Sequence, residues 1–531
     1  MKIPKTEINT IGDVFPMIKE ENGRFKTHKD QVIIIGSGFG GLAAGIRMQN
    51  AGFKVKILER RDQIGGRAGV YKIDGFSFDA GPTVITAPFI FEDLFKLANR
   101  DINNYMELLP VTPYYRIHFD DQTYFDYGHP EDNIPQIAEM SPKDVEGYEK
   151  MLEAIEPIFK KGFQELSFKP FTTFSSMLKV APSLLKLQSY RSNYNFVSKY
   201  IKNEKLRRVF SFHPLLIGGN PFTVPSIYSL IQYLEKTYGV WFVKGGTTSL
   251  VHGLATLFTE LGGKIILNAE ISDINIENGR VTGVTTEDGH KYPSNTVISN
   301  ADVAFTYTKL IESKWRKKNS DKRYKKAKYS MGLVVIYFGT KKQYPDMKHH
   351  TILLGSRYKG LLEDIFKNKV LSDDFSSYLH VPTRTDPSLA PEGHETFYIL
   401  IPVPHLDSGV NWEELAEPFK EKVFTFLEEN YLPDLKENLV VEKVFTPLDF
   451  HTEYLATKGS GFSLEPIFTQ SAWFRPHNRS EDIEGLYFVG AGTHPGAGLP
   501  GVVSSAKITT DLILEDLNGG SPNLAPGASI N

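Results

Sequence analysis

The chain has 531 residues, of which 41% are hydrophobic and 23% are charged, a balance typical of a soluble globular protein with two connected domains. Its formal charge of −3 provides no overall field that would attract nucleic acid, so no nucleic-acid partner is expected. Because the chain has no cysteine, disulfides, thiolate nucleophiles, iron–sulfur clusters and Cys-type zinc sites are excluded, and redox chemistry would need a bound cofactor.

The first predicted elements form a β-turn-α-β unit. Gln31 to Ile35 is a β-branched run that stops at glycine, as buried parallel strands do, and Gly41 to Ala51 has a helical pattern. Lys54 to Leu58 is the next predicted strand. A polar leader of about thirty residues precedes the unit; it has no secretory signal, and no apolar run in the chain approaches the roughly 18 residues of a spanning helix. We therefore expect a cytoplasmic protein or one that lies on a membrane surface.

A glycine-rich turn joins the first strand to the helix and matches the dinucleotide fingerprint GxGxxG in its required context. Gly36 permits the tight turn, Gly38 lets the backbone approach a pyrophosphate, and Gly41 lets the helix pack closely on the sheet. Glu59 ends the second strand, where a carboxylate accepts hydrogen bonds from a ribose. The residues of this turn that are assigned to the cofactor are Gly36, Gly38, Phe39, Gly40 and Gly41.

The residues after Glu59 favour FAD over NAD. Arg60 and Arg61 follow the acid directly, and Gly65-Gly66-Arg67 comes next. A second glycine pair beside an arginine can wrap the far side of a dinucleotide and neutralise its phosphates bidentately. We therefore assign Arg60, Gly66 and Arg67 to an FAD site.

The middle of the chain alternates between helical and strand-rich stretches. A helical region rich in Phe, Leu, Tyr and Lys is followed by a strand, a helix from Thr248 to Leu261 and further strands that end at Asn300, where the chain returns to the nucleotide domain. Strands such as Gly332–Phe338 and Thr396–Val403 then predict a second, sheet-based domain. The predicted boundaries are FAD-binding segments 30–140, 236–300 and 469–517, a helical substrate and membrane subdomain 141–235, a substrate domain 301–468, and flexible termini 1–29 and 518–531.

The last segment has a second glycine-rich turn between a strand and a helix. Leu486 to Val489 is the strand, Gly490 to Gly498 the loop, and Pro500-Gly501-Val502 the start of the helix. The positive end of this helix is expected to face a flavin pyrimidine and to stabilise reduced, anionic flavin. We assign to the flavin Gly490, Ala491, Gly492, Gly501 and Val502.

From about Val32 to Leu517 the sequence resembles the bacterial-type phytoene desaturases, a family of FAD-dependent carotenoid and retinoid oxidoreductases. The resemblance implies an α/β fold with a doubly wound, Rossmann-type FAD domain and a mixed-sheet substrate domain, an apolar polyene substrate and a helical region that associates with membranes. The cofactor assignment here includes Gly81, Pro82, Thr83 and Ile271. The blocks that carry the resemblance are Phe78–Thr86, Glu107–Arg116, Phe210–Phe222, Gly239–Thr247, Thr469–Arg479 and Val489–Lys507.

No catalytic acid or base is predicted, because a polyene delocalises the cation that hydride removal creates and an apolar tunnel supplies orientation. His213 and His494 are possible proton acceptors, but each lies among Gly and Pro, which favours a structural hydrogen bond. His349 and His350 are adjacent, and two neighbours on a strand do not both point inward, so no metal site is predicted.

Nine basic residues lie between Lys314 and Lys328 and leave two interpretations open: a solvated helix, or a surface that binds anionic lipid headgroups. The nine are Lys314, Arg316, Lys317, Lys318, Lys322, Arg323, Lys325, Lys326 and Lys328.

The favoured function is FAD-dependent desaturation of phytoene to lycopene by successive hydride removals, at a membrane surface, with a membrane quinone or oxygen as electron acceptor. One alternative changes the substrate to a thirty-carbon or hydroxylated carotenoid. Another is a prenyl-binding chaperone of the GDP-dissociation-inhibitor type, against which the intact Gly65-Gly66-Arg67 and the second glycine loop argue.

Overall fold

The computed structural model describes residues 31–517, so the predicted flexible termini lie outside the described residues. The strands, in chain order, are β1 Gln31–Ile35, β2 Lys54–Leu58, β3 Val70–Ile73, β4 Phe76–Asp79, β5 Leu108–Pro110, β6 Tyr115–His118, β7 Tyr124–Tyr127, β8 Trp241–Val243, β9 Lys264–Ile266, β10 Ile271–Glu277, β11 Arg280–Thr286, β12 Lys291–Pro293, β13 Thr296–Ser299, β14 Gly332–Thr340, β15 His350–Leu353, β16 Ser377–His380, β17 Glu395–Val403, β18 Leu439–Phe445 and β19 Leu486–Phe488.

The α-helices are joined by short 3₁₀ and π turns. In chain order they are α1 Phe39–Asn50, α2 Phe89–Leu97, α3 Pro130–Met140, α4 Val145–Phe159, α5 Phe174–Lys186, α6 Asn193–Tyr200, α7 Glu204–Ser211, α8 Leu230–Tyr238, α9 Thr247–Glu260, α10 Val303–Lys309, α11 Asp321–Lys326, α12 Tyr358–Glu363, α13 Trp412–Asn430, α14 Leu435–Asn438, α15 Pro447–Tyr454 and α16 Leu499–Leu517.

A five-stranded parallel sheet forms the nucleotide-type domain, in the order β19-β13-β1-β2-β9. Its strands come from three separated stretches of the chain. Both faces are buried, as parallel sheets require: Val32 and Ile34 face a core shared with α1, α9 and α16, whereas Ile33 and Ile35 face a second core shared with β10, β11 and α10. The predicted α/β class is confirmed, although an antiparallel three-stranded sheet of β10, β11 and β12, rather than helices alone, covers the second face.

A seven-stranded mixed sheet forms the second domain, in the order β18-β14-β17-β16-β15-β6-β7. The mixed sheet is confirmed, but it takes two strands, β6 and β7, from the stretch assigned to the first FAD-binding segment, 30–140. That boundary is corrected because Arg116 in β6 pairs in parallel with Thr351 in β15, a contact between residues far apart in sequence that short-range patterns do not reveal.

The stretch of the chain between β7 and β8 contains α4 to α8, of which α4, α6 and α7 pack on the seven-stranded sheet. Tyr148 of α4 and Phe210 of α7 share one core with Tyr115 and Leu333 of that sheet. In residues 31–517 no helix combines the length and the apolar character needed to cross a membrane. The predicted membrane-associating role of this subdomain stays a prediction.

Candidate functional site

One large cavity, of about 610 Å³, lies between the parallel sheet and the seven-stranded sheet. At one end, glycine loops, Glu59 and three arginines line it, and at the other end its walls are aliphatic and aromatic. The predicted cofactor residues all line this cavity except Gly40 and Gly41, which lie behind it. The residues brought together are Gly36, Gly38, Phe39, Glu59, Arg60, Gly66, Arg67, Gly81, Pro82, Thr83, Ile271, Gly490, Ala491, Gly492, Gly501 and Val502.

The turn after β1 brings backbone, without side chains, to the cavity. Gly38 is the N-cap residue of α1, and neither a side-chain cap nor an acidic residue satisfies the N–H groups of the first turn. Those donors and the positive end of the helix dipole form a surface for an anion. A Cβ at Gly41 would lie 2.1 Å from the carbonyl oxygen of Gly36, so only glycine permits this close approach of the helix to the strand end.

Glu59 lies at the end of β2 and is buried. Its carboxylate accepts hydrogen bonds from the backbone N–H and the hydroxyl of Ser37, at 2.8 and 2.6 Å, and from the backbone N–H of Arg61 at 3.0 Å. A carboxylate has about four acceptor positions, so one remains after these bonds for a ribose hydroxyl. The same bonds fix the turn that carries Ser37 against the second strand.

The arginines near this end of the cavity form hydrogen bonds and an ion pair with other groups of the protein. The Arg60 guanidinium donates to the carbonyl oxygens of Thr452 and Glu453 and pairs with Glu270 at 3.0 Å. Arg67 donates to the carbonyl oxygen of Gly461 at 2.7 Å. Both side chains reach the cavity wall, and bidentate neutralisation of phosphates by Arg67 stays a prediction.

The loop after β4 shapes the middle of the cavity. A Cβ at Gly81 would lie 1.9 Å from the carbonyl oxygen of Arg67, which makes glycine obligatory there. The hydroxyl of the buried Thr83 is hydrogen-bonded to the phenol oxygens of Tyr398 at 2.7 Å and Tyr378 at 3.1 Å. The loop is thus fixed between the arginine turn and the seven-stranded sheet.

The second glycine loop lies beside the first. The side chain of Asn300, at the end of β13, lies between them: its amide would be 2.9 Å from a Cβ on Gly38 and 2.9 Å from one on Gly490. Gly490 has φ of +97° and donates its N–H to Ser505 at 2.8 Å. Sequence reasoning missed Asn300 as a site residue, although its place at the end of a predicted strand was a usable signal.

Arg475 is a second residue that sequence reasoning missed. Its guanidinium is almost fully buried and donates to the carbonyl oxygens of Ala491 at 2.6 Å, Thr493 at 3.1 Å and Leu464 at 3.2 Å. These bonds satisfy buried carbonyls of a loop that has no regular secondary structure. Arg475 therefore holds the second glycine loop in place without facing the cavity itself.

Asp79 is a buried carboxyl group in the cavity wall. Burial raises the pKa of Asp79 to about 7, although hydrogen bonds from the backbone N–H groups of Thr247 and Thr248 act in the opposite direction. Asp79 lies within the block Phe78–Thr86, but nothing in the sequence indicated the burial that shifts its pKa.

The rest of the cavity wall is apolar. Helices of the insert provide one wall and the seven-stranded sheet provides the other. Its lining side chains are Phe163, Leu166, Phe171, Met177, Leu184, Phe212, Leu215, Leu216, Ile217, Ile227, Leu230, Ile231, Leu234, Met331, Leu333, Val335, Ile352, Leu354, Leu400 and Phe462.

The two histidines considered as proton acceptors have structural hydrogen bonds. His213 is fully buried, contacts Glu235 at 3.0 Å and lies outside the cavity wall. His494 lines the cavity and places its Nε2 3.0 Å from the carbonyl oxygen of Leu166, and burial lowers its pKa to about 4. His494 is thus neutral at pH 7, and its Nδ1 has no hydrogen-bond partner among residues 31–517.

The prediction that His349 and His350 do not both point inward is wrong. His349 lies just before β15, where the alternation of a strand does not apply, and both side chains are buried. A third histidine, His380 of β16, completes a cluster with them. Burial lowers the pKa of His349 to about 3, and the pKa values of His350 and His380 are also well below the usual range.

Part of the basic run is paired with acids. Arg316 is buried and forms an ion pair with Asp321, and Arg323 forms an ion pair with Glu481 at 3.2 Å. Lys318 lies near Glu481 at 3.8 Å, on the wall of a small cleft that it shares with Phe174. The run is thus not one free basic surface.

Comparison with known proteins identifies the fold and the family. The sequence profile of the flavin containing amine oxidoreductases matches residues 39–514. "Phytoene desaturase (lycopene-forming)" from Pantoea ananas is 48% identical over 486 residues, which cover 91% of this chain and 99% of that protein. The protein of the same description from Pseudescherichia vulneris is 48% identical over 489 residues, 92% of this chain and 99% of that protein.

Among solved structures, cyclohexylamine oxidase from Brevibacterium oxydans superimposes with a TM-score of 0.60 at 15% identity, covering 92% of this chain and all of that chain. A likeness at this identity shows the fold alone. The family match over most of the chain implies a flavin cofactor, and the predicted resemblance is confirmed. The chain belongs to the flavin-containing amine oxidoreductase family and, within it, to the phytoene desaturases.

Proposed function

We propose that this protein is an FAD-dependent desaturase that converts phytoene to lycopene by successive removals of two hydrogens. The observation that carries the proposal is that one cavity is lined both by the glycine loops of the nucleotide-type domain and by many aliphatic and aromatic side chains. The relatives of 48% identity, which are described as lycopene-forming phytoene desaturases, support the substrate and the product. Membership of an oxidoreductase family leaves no support for the prenyl-binding chaperone.

The residues at the polar end fit FAD. The uncapped N-terminus of α1 suits the pyrophosphate, Glu59 the ribose, and the loop from Gly490 to Gly492 with the N-terminus of α16 the isoalloxazine. Side chains at Gly38 or Gly81 would fill the cradle or clash with its wall. When bound, FAD supplies the acceptor for the hydride that leaves the substrate.

The apolar half orients the substrate and excludes water. Each new double bond requires loss of a hydride from an allylic carbon, for which the flavin is the acceptor, and of a proton from the neighbouring carbon, which is released to water at the polar end of the cavity. The cation formed between the two losses is delocalised along the polyene. The walls formed by residues such as Leu230, Leu333 and Phe462 hold an extended hydrocarbon beside the polar end. Positioning of this kind lowers the barrier without an acid or base of the chain. We propose a membrane quinone or oxygen as the final electron acceptor.

We further propose that the protein attaches peripherally to the cytoplasmic face of a membrane, through helix α5 rather than mainly through the basic run. Thr173 caps α5 by accepting a hydrogen bond from Ser176 N at 3.3 Å. Met177 and Leu184 of this helix line the cavity, whereas Leu178 and Leu185 are exposed to solvent at 58% and 62%. An apolar outer face beside the cavity wall would let a bilayer-dissolved polyene enter without crossing water.

The test is conversion of phytoene by the flavin-loaded protein in liposomes, followed by pigment analysis. We expect coloured polyenes, ending in lycopene, without added nicotinamide, because residues 31–517 form one dinucleotide cradle in one cavity. Liposomes that contain a thirty-carbon or a hydroxylated polyene provide the comparison. Colourless extracts from phytoene, with flavin present and reducible, would reject phytoene as substrate, and conversion of one of the other polyenes would then identify the substrate class.

A further inference from the structure

Three buried histidines meet behind the wall of the cavity. His350 in β15 and His380 in β16 are directly opposite each other in an antiparallel pair, so their side chains lie on the same face of the sheet. His349 approaches from the bend that precedes β15, with ring centroids 4.4 Å from His350 and 4.8 Å from His380. Each ring is at least 96% buried, since the exposed fractions are 4% for His349 and 0% for the other two.

Hydroxyl groups engage the Nδ1 atom of each ring. Nδ1 of His349 lies 2.5 Å from the hydroxyl of Thr385. Nδ1 of His350 lies 2.6 Å, and that of His380 3.3 Å, from the phenol oxygen of Tyr378. A phenol oxygen accepts two hydrogen bonds and donates one, so Tyr378 can accept from both Nδ1–H groups and donate to Thr83, which is 3.1 Å away.

This hydrogen-bonding pattern leaves the Nε2 lone pairs free. With the proton on Nδ1, Nε2 is an acceptor, and the Nε2 atoms of His349, His350 and His380 have no hydrogen-bond partner within residues 31–517. Buried polar atoms in native proteins are nearly always satisfied, and one unpaired nitrogen on each of three converging rings is an unusual exception. Packing of the rings on Phe242 and on one another accounts for their burial but gives these nitrogens no partner.

We propose that His349, His350 and His380 form a binding site for a divalent transition-metal ion, with Zn²⁺ as the best-suited ion. Neutral imidazole nitrogens are ligands that Zn²⁺ prefers, and ligating histidines characteristically bond their other nitrogen to an oxygen acceptor, as all three do here. No carboxylate belongs to the group in the part of the chain that the structure describes, which leaves the fourth tetrahedral position for a water molecule.

The distances suit such an ion. One ring nitrogen from each histidine lies within 4.8 Å of one from each of the others. Tetrahedral Zn–N bonds of about 2.0–2.1 Å place ligand nitrogens roughly 3.4 Å apart. Even at the upper limit of separation, each nitrogen needs to move inward by less than about 1 Å, which small rotations of the side chains provide.

The site has a structural consequence for the cavity. Tyr378 lines the cavity on one side and contacts two of the histidines on the other. A bound ion would fix β15 to β16 and to the bend at His349, and would thereby hold the phenol of Tyr378 against Thr83. We assign the ion this positioning role, and it takes no part in the hydride transfer proposed above.

The experiment uses the full-length, flavin-loaded protein, treated with a chelator and then desalted. After incubation with Zn²⁺ and a second desalting, elemental analysis is expected to find about one equivalent per chain. Replacement by Co²⁺ is expected to give absorption bands of tetrahedral cobalt at wavelengths longer than those of the flavin. The melting temperature is expected to rise with added Zn²⁺, because an ion that binds only the folded state stabilises it.

Two variants and one control separate this cluster from other histidines. His350→Gln and His380→Gln are each expected to weaken Zn²⁺ binding by at least about tenfold and to abolish the cobalt bands. His290→Gln, which changes an exposed histidine of another sheet, is expected to bind like the parent protein. Flavin content, measured on every variant, identifies those that have folded.

Any of three results would overturn the proposal. The first is a parent protein that retains no Zn²⁺ after desalting. The second is equal retention by the parent and a folded His350→Gln variant. The third is a loss in His290→Gln as large as that in the cluster variants. Because these readouts are metal content, spectrum and melting temperature, they remain decisive whichever carotenoid the enzyme converts.

Discussion

At the scale of single residues, backbone contacts decide much of the cofactor site. The carbonyl oxygen of Arg67 lies 1.9 Å from where a Cβ of Gly81 would be, and that of Gly36 lies 2.1 Å from where a Cβ of Gly41 would be. Neither neighbour is a flexible side chain that could move away. The glycines therefore let separate parts of the backbone approach each other closely. This close approach shapes the polar end of the cavity.

Gly38→Val is expected to leave little flavin bound. The new Cβ would lie 2.9 Å from the Asn300 amide, and the methyl groups would occupy the space that a pyrophosphate needs at the N-terminus of α1. The measurement is the flavin released per mole of purified protein after denaturation. Gly360→Val, whose Cβ meets only the flexible end of Arg357, is the matched control. Full flavin content in Gly38→Val would disprove the role assigned to this turn.

The raised pKa of Asp79 predicts a pH-dependent contribution to stability. Its pKa is about 7 in the folded state, against the ordinary aspartate value of 3.8, so the folded protein holds the proton more tightly than the unfolded chain. The stabilising contribution is complete below about pH 4 and is lost as the pH rises through 7. Between pH 5 and pH 8 the loss corresponds to roughly 2–3 kcal/mol.

Asp79→Asn removes this titration, so the variant should gain stability relative to the parent as the pH rises from 5 to 8. The difference between the two urea-unfolding midpoints, measured at both pH values, cancels the titration of all other groups. Asp273→Asn, at an exposed carboxylate in β10, serves as control. A difference for Asp79→Asn that is the same at both pH values would show that burial does not shift this pKa.

At the scale of elements, helix α5 has one side in the wall of the cavity and another side exposed to solvent. Its inner residues contribute to the cavity, and its outer face presents Phe174, Leu178 and Leu185 to solvent next to a cleft that includes Lys318. Exposed apolar side chains on one helix face are costly in water unless another phase covers them. This exposed apolar face is the reason why we proposed α5 as the membrane contact.

Leu178→Glu combined with Leu185→Glu is expected to reduce sedimentation with anionic liposomes several-fold, because two carboxylates on this face oppose insertion and repel the lipid headgroups. Val370→Glu, at a residue 54% exposed and outside α5, is the matched control. Neutralising Lys317, Lys318 and Lys326 together should have a smaller effect, and one that high salt removes. Equal sedimentation of the double variant and the parent would exclude α5 as the contact.

The sequence was sufficient for elements whose pattern is local. The bounds of β1 and β2 are those predicted, and the helix predicted for 248–261 is α9, from Thr247 to Glu260. Elements that depend on distant partners were not predictable in the same way. The strands β6 and β7 belong to the seven-stranded sheet because β6 pairs with β15, which lies more than 200 residues later in the sequence. His380 likewise reaches His349 and His350 only through strand pairing.

At the scale of the whole molecule, residues from both ends of the chain surround one cavity. The two glycine loops were recognisable from their motifs, whereas their contact through Asn300 and the support from the buried Arg475 required the fold. The apolar half was not predictable residue by residue, because its walls come from the helical insert and from the seven-stranded sheet. Aromatic and aliphatic residues of that kind look the same in a sequence as residues of an ordinary core.

The shape of this cavity predicts a stepwise reaction with exchangeable intermediates. Its apolar half is lined by aliphatic and aromatic side chains, and such walls discriminate weakly between hydrocarbon chains of equal length that differ by one double bond. Each partly desaturated product should therefore bind again and lose two further hydrogens.

Absorption spectra taken during conversion of phytoene in liposomes are expected to move to longer wavelength in steps, as intermediates accumulate and are then converted to lycopene. Supplying an isolated intermediate should give the same final pigment. Accumulation of one intermediate that the fresh enzyme does not convert would mean that the cavity distinguishes the number of double bonds, contrary to what its apolar walls predict.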